Sequence, residues 1–110
     1  MNVNNLIIKA LKSLNIITTP VFYNGKERPY ITFYTYAEEE SFFADNEPMQ
    51  EVTHITIDLW AEKNFKQTKA KIRTLMKEAG FSYKTSGQEL YEPDTKLYHI
   101  PLDFQYSKIL

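Results

Sequence analysis

The 110-residue chain is predicted to fold as a single α+β domain: a mainly antiparallel sheet with two helices on one face, in the order α-β-β-β-α-β-β. Two observations predict this class. Apolar residues recur at spacings of three and four in two segments, 2–14 and 65–79, the period of a helix with one buried stripe. Between and after them, 30–36, 52–61 and 96–106 alternate apolar and polar side chains, the period of a half-buried strand. The length suits one domain with its own core, and the balance of 43% apolar to 25% charged residues is that of an ordinary globular protein.

In the first helix, Val3, Leu6, Ile7, Ala10, Leu11 and Leu14 form the stripe. Asn15 and the extended bias that Pro20 imposes on Thr19 close it. "VFY" at 21–23 reads as a short strand, and "NGKERP" as a turn in which Asn24-Gly25 take positive φ. In 30–36, Ile31 and Phe33 face one way and Tyr30, Thr32, Tyr34 and Tyr36 the other. Residues 37–51 read as a long acidic loop, with six carboxylates and no basic residue. In 52–61, Ile55, Ile57 and Leu59 face the core, while His54, Thr56, Asp58 and Trp60 face away. Asn64 with Gln67 fits a capping box at the start of the second helix, whose stripe is Phe65, Ile72, Leu75, Met76 and Ala79, with Gly80 ending it. A strand starts at 81–85 and "SGQELYEPD" is a loop. In the last strand, 96–106, Tyr98, Ile100, Leu102, Phe104 and Tyr106 face the core and His99, Pro101, Asp103 and Gln105 face away.

With no cysteine, the chain offers neither disulfides nor thiolate chemistry. The first twenty residues lack the basic start, long apolar centre and small-residue cleavage site of a signal peptide, and no apolar run is long enough to span a membrane. A net charge of −1 gives no global attraction to nucleic acid. Eight Tyr, seven Phe and one Trp exceed what a small core encloses, so some aromatics serve strand packing and some a surface.

"HITID" and "HIPLD" place His54 and Asp58, then His99 and Asp103, at the same spacing. Four residues along a strand span about 13 Å, so contact needs neighbouring strands. An antiparallel register in which paired numbers sum to 157 would set His54 opposite Asp103 and Asp58 opposite His99. Two cross-strand charge pairs on a solvated face are the plain reading. A zinc site of two histidines and two carboxylates, serving a small metal-dependent enzyme, is the other. No Gly-rich phosphate loop or obvious nucleophile accompanies it, and Pro101 argues against an ideal ladder at that point.

Charge is segregated. Glu38, Glu39, Glu40, Asp45, Glu47 and Glu51 lie in 37–51; Lys63, Lys66, Lys69, Lys71, Arg73 and Lys77 lie in 63–77. The basic helix reads as a solvated face, as a phosphate-tracking surface, or as one half of a head-to-tail contact with the acidic segment. Phe42 and Phe43 sit inside the acidic segment as candidate apolar anchors, and Trp60 at its strand end is another.

Four stretches carry a family resemblance: "LNIITTPVFY", "PYITFY" followed by an acidic segment with "DN", "HITIDLWAE" running into "NFKQTKAKIRTLMKEAGF", and "YEPDTKLYHIPLDFQY". Together they span nearly the whole chain. It resembles the small tail-terminator and tail-completion (head-tail joining) proteins of long-tailed bacteriophages and Gram-positive prophages. In that class the strand before the second helix commonly ends apolar-Trp-apolar, here Leu59-Trp60-Ala61. The resemblance implies a non-enzymatic virion assembly protein without cofactors. Such a protein forms a homo-oligomeric ring on the tail tube and meets tail-tube and head-connector proteins. It would act in the host cytoplasm during assembly and then in the virion, with no membrane and no sequence-specific nucleic acid as partner. On this reading Glu38, Glu39, Glu40, Phe42, Phe43, Asp45, Trp60, Lys66, Lys69 and Arg73 are candidate interface residues. A small protein-binding adaptor domain is the alternative, and the metal-dependent enzyme a third.

Overall fold

The computed structural model describes residues 2–41, 47 and 50–109, without the side chains of 37–39 and 41. The first helix, α1 (Val3–Leu11), is capped by Asn2, whose side chain accepts the Asn5 backbone N–H at 2.8 Å. A 3₁₀ turn at Lys12–Leu14 continues it and ends at Asn15 in the left-handed region. Then come β1 (Ile17–Pro20), β2 (Tyr30–Ser41), β3 (Gln50–Ala61), α2 (Phe65–Glu78), β4 (Ser82–Ser86), β5 (Leu90–Glu92) and β6 (Leu97–Ile109). The sheet order is β1-β2-β3-β6-β4, with β5 also on β6. All pairings are antiparallel except β1 with β2. The α+β class holds, but the order is helix, three strands, helix, three strands.

Ile7 and Leu11 of α1 and Ile72 and Met76 of α2 pack on Ile31, Phe33, Ile55, Ile57, Leu59, Ile100, Leu102 and Phe104; each of these side chains is fully buried. Leu14 is partly buried against the same core. The period-two and period-3.6 patterns therefore meet on one side of the sheet, as their spacing requires.

Five local expectations are corrected. The strand expected at 21–23 lies instead at Ile17–Pro20 and runs parallel to β2. The positive φ expected at Asn24-Gly25 falls on Val21 (φ 67). Gly25 is there for space: a Cβ would collide with the Tyr23 hydroxyl. Asn64 forms no capping box; it is itself left-handed (φ 58) and makes no side-chain cap. The loop "SGQELYEPD" contains β5, which with β4 makes one interrupted edge strand along β6.

The fifth correction is the largest. Much of the segment read as an acidic loop is strand. Pairing of β2 with β3 continues through Glu38↔Thr53, Glu39↔Val52 and Glu40↔Glu51 to Ser41↔Gln50, and β6 follows out to Ile109. Beyond Ala37 the three paired strands form an extension of the sheet, the arm. The molecule measures 53 × 25 × 24 Å, and its radius of gyration of 15.1 Å exceeds the roughly 13 Å of a compact chain this long. Phe42, Phe43 and Asp45 lie outside the described residues. Among the described residues, no helix is long and apolar enough to cross a membrane.

Candidate interaction surfaces

Two surfaces are built on this frame: the sheet face opposite the helices, and the sheet's two outer edges. Even-numbered residues of β2 up to Tyr34 and of β3, with odd-numbered residues of β6, point to the face opposite the helices. Tyr30 stands opposite Trp60, and Trp60 opposite His99, on three adjacent strands. Pairing thus stacks the three rings: Tyr30–Trp60 centroids are 5.8 Å apart at 11°, and Trp60–His99 4.0 Å apart at 5°. Tyr23 leans on Tyr30 at 4.8 Å, and the Arg28 guanidinium sits 5.1 Å over the Tyr30 ring. Burial raises the Tyr30 phenol above its ordinary pKa, against the opposing pull of Arg28.

Polar groups on this face are paired. Trp60 Nε1–H donates to Thr32 Oγ1 (3.1 Å), Thr56 Oγ1–H donates to Asp103 Oδ1 (2.7 Å), and His99 Nε2 lies 2.7 Å from Asp58 Oδ1. Thr32, Thr56 and Asp58 are buried although no helix covers them. Their cover is lateral, from neighbours on the same face.

The observed register sums to 159, two residues from the expected one. Parity is kept, because a one-residue slip would turn the whole apolar set outward, while a two-residue slip exchanges neighbours without changing faces. Asp58 and His99 do meet, but diagonally, since Asp58 stands opposite Pro101. His54 stands opposite Gln105, not Asp103, and its ring packs 5.7 Å from Tyr36. The four residues are therefore not gathered into one site. Among the described residues, no three His, Asp or Glu side chains are grouped to hold a metal. Pro101 does not interrupt the β3–β6 ladder. Its carbonyl accepts from Gly87 N–H at 2.9 Å, so its missing donor faces the β4/β5 edge, where that strand is already broken.

Trp60 is half-buried between Tyr30 and His99, with its N–H donated to Thr32. Exposed apolar side chains lie elsewhere: Tyr34 and Tyr36 on β2, Val21 and Phe22 beyond β1, Leu90 and Tyr91 on β5. Alternation marks Tyr34 and Tyr36 in the sequence. Nothing local marks Val21, whose left-handed backbone is unusual for a β-branched residue.

The charged residues sit at opposite edges. On α2, Lys66, Lys69, Arg73 and Lys77 follow at three and four residues and form one stripe. It runs beside β4: Arg73 lies 4.0 Å over the Tyr83 ring, and Lys69 Nζ is 3.5 Å from Glu89 Oε2. At the other side of the sheet, Glu38, Glu39 and Glu40 lie in the arm portion of β2. Glu40 stands directly opposite Glu51, a like-charge pair, with Lys108 on the other side of Glu51. Of the interface residues suggested by the sequence, Glu38, Glu39 and Glu40 thus lie in an acidic arm and Lys66, Lys69 and Arg73 along a basic helix edge. The chain matches no protein-family model and no curated protein.

Proposed function

We propose that this chain is a non-enzymatic structural subunit of a phage or prophage tail. It resembles the tail-terminator and tail-completion proteins that form a ring capping the tail tube and joining it to the head. It would assemble in the host cytoplasm and remain in the virion, in contact with tail-tube and head-connector proteins. The observation that carries the reading is the separation of unlike charge onto opposite sides of one small, nearly neutral domain. A closed ring uses two different patches on every subunit, and such a separation supplies them. The lateral satisfaction of the polar groups on the open sheet face also supports a structural rather than a catalytic role.

The test is reversal of Lys66, Lys69 and Arg73 to Glu, with folding followed by circular dichroism and assembly by electron microscopy of tails. The expected outcome is a folded protein that no longer forms rings or completes tails. Assembly indistinguishable from wild type would refute the reading of the two patches as an interface. The adaptor reading predicts instead a strict monomer at every concentration that binds a basic protein through the arm.

A further inference from the structure

We infer that successive copies join edge to edge, the arm portion of β2 from one copy adding as a strand to β4 of the next, so that the sheets run continuously through the assembly. The inference rests on the ring reading above and names the surfaces that make the joint.

Three observations carry it. The first is free backbone. β1 covers β2 only from Tyr30 to Phe33, and the Val21 N–H then bonds the Phe33 carbonyl at 2.9 Å. From residue 34 to 41, β2 is paired on one side only, by β3, among the described residues. At the far side of the sheet, among the described residues, β4 is paired on one side only, by β6. Unpaired edges of this kind are templates for another strand.

The second is charge. The free β2 edge carries Glu38, Glu39 and Glu40; the free β4 edge carries exposed Lys84 and runs beside the Lys66–Lys69–Arg73–Lys77 stripe. Like charge rejects β2 on β2 and β4 on β4, the two-fold pairings that would give closed dimers. It admits β2 on β4, the head-to-tail pairing that propagates. The Glu40–Glu51 opposition leaves the arm with repulsion that a basic neighbour relieves.

The third is direction. β2 is antiparallel to β3, β3 to β6, and β6 to β4, so β4 runs opposite to β2. A neighbour that keeps its helices on the same side presents its β2 antiparallel to β4, the commoner and slightly stronger pairing.

The experiment uses the absence of cysteine in the chain. Glu40→Cys and Lys84→Cys are made separately, and each alone or their mixture is treated with a short bis-maleimide. The expected result is a cross-linked pair in the mixture and neither variant cross-linking with itself. The product should disappear in 1 M salt, where the screening length falls to about 3 Å, and when Lys66, Lys69 and Arg73 of the Lys84→Cys protein are also reversed to Glu. Self-cross-linking of Glu40→Cys as strong as that of the mixture would overturn the inference. So would oligomers by light scattering without the mixed product, which leaves the ring reading standing. Monomers at all concentrations with no product overturn both. The mixed product in open chains that never close supports the edge contact and removes the ring.

Discussion

The two faces of this sheet reach burial by different routes. On the helix side, Ile55, Ile57 and Leu59 are fully buried under α1 and α2. On the other side of the same strand, Thr56 and Asp58 are 4% and 8% exposed with no layer above them. Their shield is lateral, from neighbours on the same face, and each meets a polar partner at 2.7 Å. One face is held by apolar area and the other by hydrogen bonds beside a row of stacked rings. These respond differently to substitution, because apolar burial scales with the atoms removed, whereas a buried hydrogen bond contributes little net but leaves an expensive orphan when one partner goes.

The largest effect should come from the helix side. Ile57→Ala removes three carbons from a fully enclosed site and should lower unfolding free energy by about 2–5 kcal/mol, measured by urea denaturation. A loss no larger than that of a surface substitution would show that the two helices do not close on the sheet as described.

The open face should give the next effect. Asp58→Ala leaves the His99 ring nitrogen without its 2.7 Å partner in a site where both side chains are largely enclosed, and should cost about 1–3 kcal/mol. Thr32→Val, which keeps the shape and removes the acceptor of the Trp60 N–H, should cost about 1 kcal/mol. It should also shift the fluorescence of the single tryptophan. An unshifted spectrum would mean that the indole hydrogen bond is not formed in solution.

Much of this contrast is legible in the sequence. The helix-side residues follow from periodicity alone, and parity places His54, Asp58, His99 and Asp103 on the opposite face. What periodicity does not determine is a slip of two residues, which keeps every face and changes every neighbour. That is why the Asp58–His99 contact, expected as a direct pair, occurs as a diagonal, and why His54 stands opposite Gln105 rather than Asp103, with Tyr36 against its ring. The arm was missed for a different reason. Glu is a poor strand former, and "AEEES" carries no apolar alternation, so only pairing with β3 makes it a strand. Likewise "ITTP" and "VFY" both have strand character; contact with β2 selects the first, and the left-handed turn at Val21 excludes the second.

The smallest effect should come from the rim, where an ion pair is longer and more open to water. Lys69 and Glu89 are 3.5 Å apart with side chains 21% and 37% exposed; Asp58 and His99 are 2.7 Å apart at 11% and 22%. Water competes for the first pair, and both long side chains lose rotamer freedom to form it. A double-mutant cycle on Lys69→Ala and Glu89→Ala should therefore give a coupling of about 0.2–1 kcal/mol, falling towards zero as salt is raised. The matching cycle on Asp58 and His99 should give more and should resist salt, because the pair is closer and largely enclosed by its neighbours. Equal couplings with equal salt dependence would show that the open face does not enclose the Asp58–His99 pair. The same measurement bears on assembly. A rim charge bound weakly to Glu89 within its own subunit is available to a neighbour at little cost, so a large, salt-resistant Lys69–Glu89 coupling would count against the basic edge as a docking surface.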